Sequence, residues 1–230
     1  MSDPGLRLCV SFGTNPMAQD LATPAHAIVE ATGVEPLANI ALPILGRVVN
    51  TAGTFTASSQ LRFQENPDFD VDDLTIYLWM SPQSKPAQNG GYFLLDNNTE
   101  YYATYDGDAT VRCGVAGTSV NSHATVAPGT WHHVACTYGK ADRLLRVYVD
   151  GNLGGCQMAS AVPHGGADGV AIGANYSAKN GFQQNFLGNL GDLHLYGTEL
   201  APDQICRAAG RTGCNFVCPG DGGGDPGSGR

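Results

Sequence analysis

The sequence predicts an all-β protein, a two-sheet antiparallel jelly-roll sandwich with one short C-terminal helix. Apolar and aromatic runs recur at intervals of about ten residues and are separated by turn residues, a spacing typical of sandwiches. Glycine supplies 31 of the 230 residues. Charged residues supply only 14%, against a usual ~25%, which argues against a helical bundle, a coiled coil or a charged disordered chain.

The first predicted strand alternates polar and apolar residues over 6–12, and four prolines at positions 16, 24, 36 and 43 forbid long helices after it. Further strands are expected at 60–63, 74–80, 92–95, 101–105, 110–115, 123–126, 131–138, 144–149, 170–173 and 186–196. The strand at 144–149 runs into Asp150-Gly151, which accepts the positive φ of a tight hairpin turn. Pro202 in a first turn predicts the helix, over 202–209.

The domain is expected to span residues 1–218, with a flexible tail over 219–230. The tail consists of glycine, aspartate, proline, serine and one arginine, so it has no apolar side chain to bury. It is either a linker to a further module of a longer chain or an added segment.

The charge balance limits the partners. The formal net charge is −9 and the pI is about 4.9, without a cluster of lysine or arginine, so the surface repels nucleic acid and anionic lipid. No apolar run approaches the ~20 residues that span a bilayer, and membrane insertion is not expected. We expect a glycan or an extracellular protein as the partner.

Seven cysteines indicate disulfides in an oxidising compartment, with buried thiols of a cytosolic protein as the alternative. Neither the zinc spacing nor the redox C-x-x-C motif occurs. An odd count leaves at least one cysteine outside intrachain bridges. We therefore expect a secreted or cell-surface protein, although no signal-peptide core stands near Met1, since processing removes such a segment.

Two stretches carry a family resemblance: WHHVACTY at 131–138 and RVYVDG at 146–151. They resemble the LamG-like jelly rolls of the concanavalin A-like lectin/glucanase superfamily. Further stretches fit in the same order: 55–63, 73–80, 186–196 and 200–205. The stretch at 186–196 also resembles the pentraxin branch. The resemblance implies two antiparallel sheets, one of them concave, with binding loops along the rim, and it implies no single function.

Catalysis is not expected. The glucanase branch of this family carries a Glu-x-Asp-x-x-Glu strand, because a retaining glycosidase needs two carboxylates about 5–5.5 Å apart. The five glutamates of this chain are isolated from one another, and the serine-hydrolase, zincin and P-loop motifs are absent. We expect a non-catalytic binding or adhesion module. The alternatives are a glycoside hydrolase-related domain without the usual motif and a pentraxin-like, self-associating structural module.

Calcium is the cofactor that the resemblance implies. At the positions of the pentraxin calcium ligands this chain has Asn89-Gly90, Asn175-Tyr176-Ser177 and Gln184, which offer amide oxygens where Ca²⁺ favours carboxylates. The carboxylates of Asp96 with Asp106 or Asp108 are candidates for a single rim site. Asp192 is either a ligand of a separate structural Ca²⁺ or a cap for backbone N–H groups.

A second acidic stretch, Asp68-Phe69-Asp70-Val71-Asp72-Asp73, resembles the opening of an EF-hand loop. However, its sixth position is not glycine, and Trp79 stands where the bidentate glutamate belongs. We therefore expect a solvated turn before the strand at 74–80, with a weak Ca²⁺ site as the alternative.

The candidate ligand surface is the rim of the jelly roll, where amides and tyrosines suit hydroxyl-rich ligands. Its residues are Asn89, Tyr92, Asp96, Asn97, Asn98, Asn175, Tyr176 and Gln184. The same residue types are common in ordinary β-turns, so plain loops are the alternative.

The resemblance also implies a disulfide between Cys113 and Cys136. A bridge within the group Cys206, Cys214 and Cys218, with Cys206 and Cys214 among the bridged residues, would fix the C-terminal segment; Cys9 and Cys156 are left unassigned. The adjacent His132 and His133 point to opposite sides of their strand, and each is expected to be a core or rim histidine satisfied by hydrogen bonds rather than a metal ligand.

Overall fold

Two antiparallel β-sheets face each other across a shared hydrophobic core, which confirms the predicted all-β jelly-roll sandwich. The computed structural model describes residues 5–13, 18–38, 40, 51–88, 90–98, 100–164 and 166–219. Most of the tail that was predicted to be flexible therefore lies outside the described residues.

The strands are β1 (Leu6–Phe12), β2 (Ala18–Asp20), β3 (Ile28–Thr32), β4 (Glu35–Ala38), β5 (Thr51–Phe55), β6 (Gln60–Phe63), β7 (Leu74–Pro82), β8 (Gly91–Asn97), β9 (Tyr101–Asp106), β10 (Thr110–Val115), β11 (Thr118–Thr125), β12 (His132–Gly139), β13 (Leu144–Val149), β14 (Asn152–Met158), β15 (Val170–Ile172), β16 (Asn175–Ser177), β17 (Gly181–Gln183) and β18 (Gly188–Tyr196). A 3₁₀ turn covers Pro67–Phe69, and one α-helix, α1, covers Pro202–Ala208.

The strands form two large sheets and one separate hairpin. Sheet A has the order β14-β13-β12-β7-β18-β1-β2, with β5 also paired to β18 and β4 paired to β5. Sheet B has the order β11-β10-β9-β8-β15-β6-β3, and β16 pairs only with β17. The edge strands β11 and β14 lie beside each other, where the two sheets meet.

Alternation along each strand divides its residues between the core and an outer face. In β9 the side chains of Tyr101, Ala103 and Tyr105 are buried in the core, and so are those of Val111, Cys113 and Val115 in β10. The residues between them therefore lie on the outer face of sheet B. This face includes Tyr102, Thr104, Asp106 and Arg112.

Three disulfides tie the chain together. Cys113 of β10 is bonded to Cys136 of β12, the pair that the resemblance implied, with Cα atoms 5.7 Å apart. Since these strands belong to different sheets, the bridge crosses the core. Cys206 is bonded to Cys214 as expected, and the previously unassigned Cys156 is bonded to Cys218.

Helix α1 packs on the outer face of sheet A, and the helix predicted over 202–209 is confirmed within one residue. Buried Ile205 of the helix contacts a second apolar cluster that contains Tyr77, Tyr148 and Tyr196 of the sheet. Pro202 and Asp203 stand in the first turn and Arg207 in the last, a charge order that suits the helix dipole. The helix thereby covers much of this face.

The adjacent histidines have different environments. As predicted, His132 is hydrogen-bonded, with Nδ1 2.9 Å from the Asp150 carboxylate. His133 is fully buried on the opposite side of β12, and neither ring nitrogen has a hydrogen-bond partner among the described residues. The prediction of hydrogen bonds was therefore wrong for His133, whose ring instead packs against Tyr77 and Trp79 at centroid distances of 5.6 and 5.4 Å. Burial lowers the pKa of His133 to about 3, although Asp150 acts in the opposite direction.

Strand β14 was not predicted, because its sequence NLGGCQM is polar and glycine-rich. The structure shows why glycine is needed there. A Cβ atom at Gly154 would lie 3.0 Å from Cβ of Ser122, and one at Gly155 would lie 2.5 Å from the Asn121 carbonyl oxygen. Gly154 and Gly155 thus allow the edges of the two sheets to approach closely. The short strands β2 to β5 were also missed, in a stretch where prolines mask the alternation.

The disulfide that crosses the core should contribute more to stability than Cys206–Cys214, which closes a shorter loop. We expect that replacing both Cys113 and Cys136 by alanine lowers the free energy of unfolding by about 3 kcal/mol, because the bridge restrains a long loop of the unfolded chain. Urea denaturation measures the loss. The control is the Cys206→Ala/Cys214→Ala variant, whose cysteines are separated by 8 positions instead of 23 and which should lose about 1 kcal/mol less. An equal or larger loss in the control would contradict this account.

Burial of neutral His133 should make the fold acid-sensitive. Its pKa is lower in the folded state (about 3) than in the unfolded state (about 6.5), so the unfolded chain binds the proton first and stability falls as pH drops below about 6.5. Between pH 7 and pH 5 this group should cost about 2 kcal/mol. We expect His133→Phe to remove that part of the pH dependence in urea titrations at both pH values. His123→Gln, at an exposed site, should leave the pH dependence unchanged.

Candidate functional site

A large cleft lies on the outer face of sheet B. It consists of two adjoining chambers of about 620 and 460 Å³, which share Gly90, Asp106 and Arg112 in their walls. The first chamber is also lined by Lys85, Pro86, Gln88, Gly107, Asp108 and Asn121. The second is also lined by Gly91, Phe93, Glu100, Tyr102, Thr104, Ala116, Gly117 and Gln184. We call the two chambers together the sheet B cleft.

An aromatic ring forms part of the floor of the second chamber. Tyr102 of β9 is half-buried and pairs with Gly114 of β10, where a side chain would overlap the tyrosine ring. On its other flank the ring packs against Phe93, with centroids 5.6 Å apart. Glycine at position 114 therefore lets the ring lie across the neighbouring strand, and Phe93 fixes its position.

An ion pair stands where the two chambers meet. The Asp106 side chain is only 6% exposed, and Arg112 donates to its Oδ2 from Nε at 2.7 Å and also from Nη2. Thr104 donates to Oδ1 at 3.0 Å, and Asn121 Nδ2 lies 3.4 Å from Oδ2. The arrangement satisfies a buried carboxylate and holds the guanidinium in one orientation.

The loop between β7 and β8 forms the wall of the first chamber. Gly107 donates its backbone N–H to the Gly90 carbonyl at 3.0 Å, and Gly90 donates to Ala87 at 2.8 Å. These bonds fix the loop against the turn that follows β9. Lys85 is exposed on this loop and borders the chamber.

The hairpin β16–β17 covers the other half of the outer face of sheet B. The Tyr176 ring lies beneath the Arg62 guanidinium at 4.3 Å, and it also packs against Phe182. Asp96 is completely buried and accepts hydrogen bonds from Asn175 Nδ2 and Tyr176 N, both at 3.3 Å. Within the described part of the chain, this hairpin does not cover the half above β9 and β10.

The structure divides the predicted ligand residues into groups. Gln184 lines the cleft, while Asp96, Asn175 and Tyr176 come together as the buried anchor of the hairpin β16–β17. Tyr92 packs against Phe186 towards the core.

Three asparagines of the predicted ligand surface remain. Asn97 is buried and lies 3.5 Å from the Phe69 carbonyl, and Asn98 occupies a turn with φ of 46°. Asn89 lies outside the described residues.

The predicted calcium ligands do not meet at one place. Asp106 pairs with Gly91 and Asp96 lies opposite Tyr102, so the two carboxylates stand at opposite ends of the β8–β9 pair, about 15 Å apart. Asp192 is on sheet A, where its Oδ1 lies 3.6 Å from His194 Nδ1. Among the described residues no three His, Cys, Asp or Glu side chains gather as a metal site. The proposed rim pair of Asp96 and Asp106 therefore does not fit one Ca²⁺ ion.

The acidic stretch at 68–73 makes separate contacts. The Asp72 carboxylate binds Lys140 Nζ at 2.8 Å, and the Asp73 carboxylate accepts from Lys140 N at 2.7 Å. Asp68 lies 3.5 Å from His26 Nε2. These contacts agree with the turn that was expected in place of an EF-hand loop.

Sequence reasoning missed most of the side chains that line the cleft. It identified Asp106 and Asp108 only as candidate metal ligands, and it did not name Tyr102, Arg112 or Lys85 for the site. The available signal was the alternation in YYATYD, which places Tyr102, Thr104 and Asp106 on the face opposite the core residues. Rim loops were chosen instead, because the family resemblance implied binding loops along the rim and the amides and tyrosines there suit hydroxyl-rich ligands.

Residues 55–206 match a family model described as the Concanavalin A-like lectin/glucanases superfamily. The chain belongs to this superfamily. A curated relative, the mouse Sushi, von Willebrand factor type A, EGF and pentraxin domain-containing protein 1, is 29% identical over 143 residues. That alignment covers 57% of this chain and 4% of the relative, so the chain spans a small part of the relative's length. The predicted resemblance to LamG-like and pentraxin sequences is confirmed.

Two solved structures share the fold. The binding domain of Paraclostridial Mosquitocidal Protein 1 matches with a TM-score of 0.68 and 13% identity, over 89% of this chain and 52% of that one. Domain 4 of AbnA, a GH43 extracellular arabinanase from Geobacillus stearothermophilus, was solved in complex with arabinotriose. It matches with a TM-score of 0.65 and 16% identity, over 89% of this chain and 98% of that one.

Across the described ranges, no helix combines the length and the apolar character needed to cross a membrane.

The Asp106–Arg112 pair gives a prediction about stability. We expect Arg112→Ala to lower the free energy of unfolding by about 2 kcal/mol, because it leaves a buried carboxylate without its cation. Adding Asp106→Asn should recover part of the loss, and urea denaturation of the double-mutant cycle measures the coupling. Arg207→Ala breaks an exposed pair with Asp203 and should cost less than about 0.5 kcal/mol. Equal losses in the two single arginine variants would contradict the assigned role of Arg112.

Proposed function

We propose that this protein is a non-catalytic carbohydrate-binding module of an exported protein and that it binds a glycan in the sheet B cleft. The observation that carries the proposal is the fixed ring of Tyr102 beside a preorganised polar cluster of Asp106 and Arg112. Sugars combine an apolar C–H face, which suits an aromatic ring, with hydroxyl groups, which suit planar donors and acceptors. The cleft provides both kinds of contact side by side.

The comparisons support this function at the level of the fold. One structural neighbour is called a binding domain, and another was solved with an arabinose trisaccharide. Three disulfides and a relative built of extracellular-type domains support export. Since these likenesses are remote, the identity of the ligand rests on the chemistry of the cleft itself.

The state of the carboxylates supports binding rather than hydrolysis. A retaining glycosidase needs one carboxylate free to act as a nucleophile and a second that exchanges a proton with the sugar. In the cleft, Asp106 is engaged by Arg112, Thr104 and Asn121. A carboxylate whose oxygens are held by three donors in this way is a poor nucleophile.

Replacement of the aromatic floor tests the proposal. We expect Tyr102→Ala to weaken binding of a glycan, identified by array screening, by about tenfold, because the sugar loses its apolar contact surface. Isothermal titration calorimetry measures the change. Tyr176→Ala is the matched control on the covered half of the same face and should bind as the unmodified protein does. If Tyr176→Ala weakened binding and Tyr102→Ala did not, the ligand would lie at the β16–β17 hairpin and the assignment to the cleft would be overturned.

The same titration tests calcium assistance. We expect the affinity to be the same in EDTA and in CaCl₂, because the guanidinium of Arg112 occupies the position at which a cation would approach Asp106. Loss of glycan binding in EDTA would indicate instead that calcium assists the binding.

A further inference from the structure

We infer that the ligand of the sheet B cleft is an acidic oligosaccharide, with its anionic group at the Lys85 end and an apolar sugar face on Tyr102. This inference rests on the proposed function and names the class of glycan. It follows from which hydrogen-bonding groups of the cleft are already engaged and which are still available.

Each of the three acidic side chains that line the cleft already accepts hydrogen bonds from the protein. Asp106 accepts from Arg112, Thr104 and Asn121. Asp108 Oδ1 accepts from Thr110 through both the hydroxyl at 2.6 Å and the backbone N–H at 3.1 Å. Glu100 Oε2 accepts from the backbone N–H of His164 at 3.1 Å. The acids are therefore partly or wholly used in holding the walls.

Lys85 is in the opposite situation. It is exposed, lines the first chamber, and forms no ion pair with a carboxylate of the described residues. Six other basic residues do form such pairs: Arg62, Arg112, Lys140, Arg146, Arg207 and Arg211. In a chain of net charge −9, an unpaired ammonium group at a cleft is an available site for an anion.

Arg112 adds to the donor character of the cleft. Its Nε and Nη2 are directed to Asp106, and its side chain is 38% exposed, which leaves part of the planar group facing the cleft. A guanidinium that is already held by a carboxylate loses little conformational entropy when it also binds an acceptor of a ligand. A sugar acid presents such acceptors beside its ring.

The spacing sets the minimum size of the ligand. Tyr102 and Asp106 are four positions apart on β9, or ~13 Å, and Lys85 borders the chamber beyond Asp106. A ligand that contacts both the ring and the ammonium group therefore extends through both chambers. This length requires several linked sugar units rather than one.

An array of paired glycans tests the inference. Each uronate-bearing or sulfated oligosaccharide is printed beside its carboxyl-reduced or desulfated form, and the strongest pair is then titrated by calorimetry. We expect the acidic member to bind at least about tenfold more tightly and its affinity to fall with added NaCl. The uronate and sulfate arms identify which anion is preferred.

Single substitutions locate the effect. Lys85→Met should weaken binding of the acidic member by about tenfold and leave the neutral member unchanged. The matched control, Lys179→Met, removes an exposed charge at the tip of the β16–β17 hairpin, outside both chambers, and should have no effect. Equal losses in the two lysine variants would overturn the assignment to Lys85.

The results distinguish failure of the glycan-binding function from failure of the acidic ligand class. If neutral and acidic members bind equally and Tyr102→Ala weakens both, the acidic class is wrong and the glycan-binding function stands. If no glycan binds in either form, both the function and the ligand class are wrong.

Discussion

The pleat of β9 and β10 is the constraint on which both the core and the cleft depend. One face of these strands carries the tyrosines, valines and cysteine that fill the space between the sheets, and Cys113 extends that contact to sheet A through a covalent bond. Because side chains alternate, the same strands must present Tyr102, Thr104, Asp106 and Arg112 on the opposite face. Burial of one face thus fixes the geometry of the other, and the cleft is preorganised by the core beneath it.

The two outer faces show what else shapes the site. On sheet A, α1 packs over an aromatic cluster and covers much of the face, and His133 is buried there without a hydrogen-bond partner among the described residues. On sheet B the hairpin β16–β17 closes only the half above β6, β15 and β8, with buried Asp96 as its anchor. The cleft therefore lies on a part of sheet B that, among the described residues, neither this hairpin nor α1 covers.

Local patterns in the sequence predicted the strands that have polar residues on one face and apolar residues on the other. Strands β1, β6, β10 and β13 have the predicted bounds, since each alternates polar and apolar residues in the sequence. Strand β14 escaped prediction because Gly154 and Gly155 are required by a contact with β11, which is distant in sequence. The family resemblance and the amide-rich composition of the loops suggested rim asparagines as ligand residues. Asn97 is buried against the Phe69 carbonyl and Asn175 binds the carboxylate of Asp96, and both contacts are long-range properties that local patterns do not contain.

The chemistry of the cleft depends on which of its side chains already have hydrogen-bond partners in the protein and which do not. In the sequence Asp106 resembles a functional carboxylate. In the structure it is buried and paired with Arg112, and it holds the guanidinium in place. Lys85 carries no signal in the sequence, because a lone lysine in a polar loop is ordinary. Its candidate role follows from the fold, which places Lys85 beside a cleft whose acidic side chains already accept hydrogen bonds from the protein. A ligand is recognised by groups that remain exposed, and the inferred acidic glycan uses the Tyr102 ring, the exposed part of Arg112 and the Lys85 ammonium group.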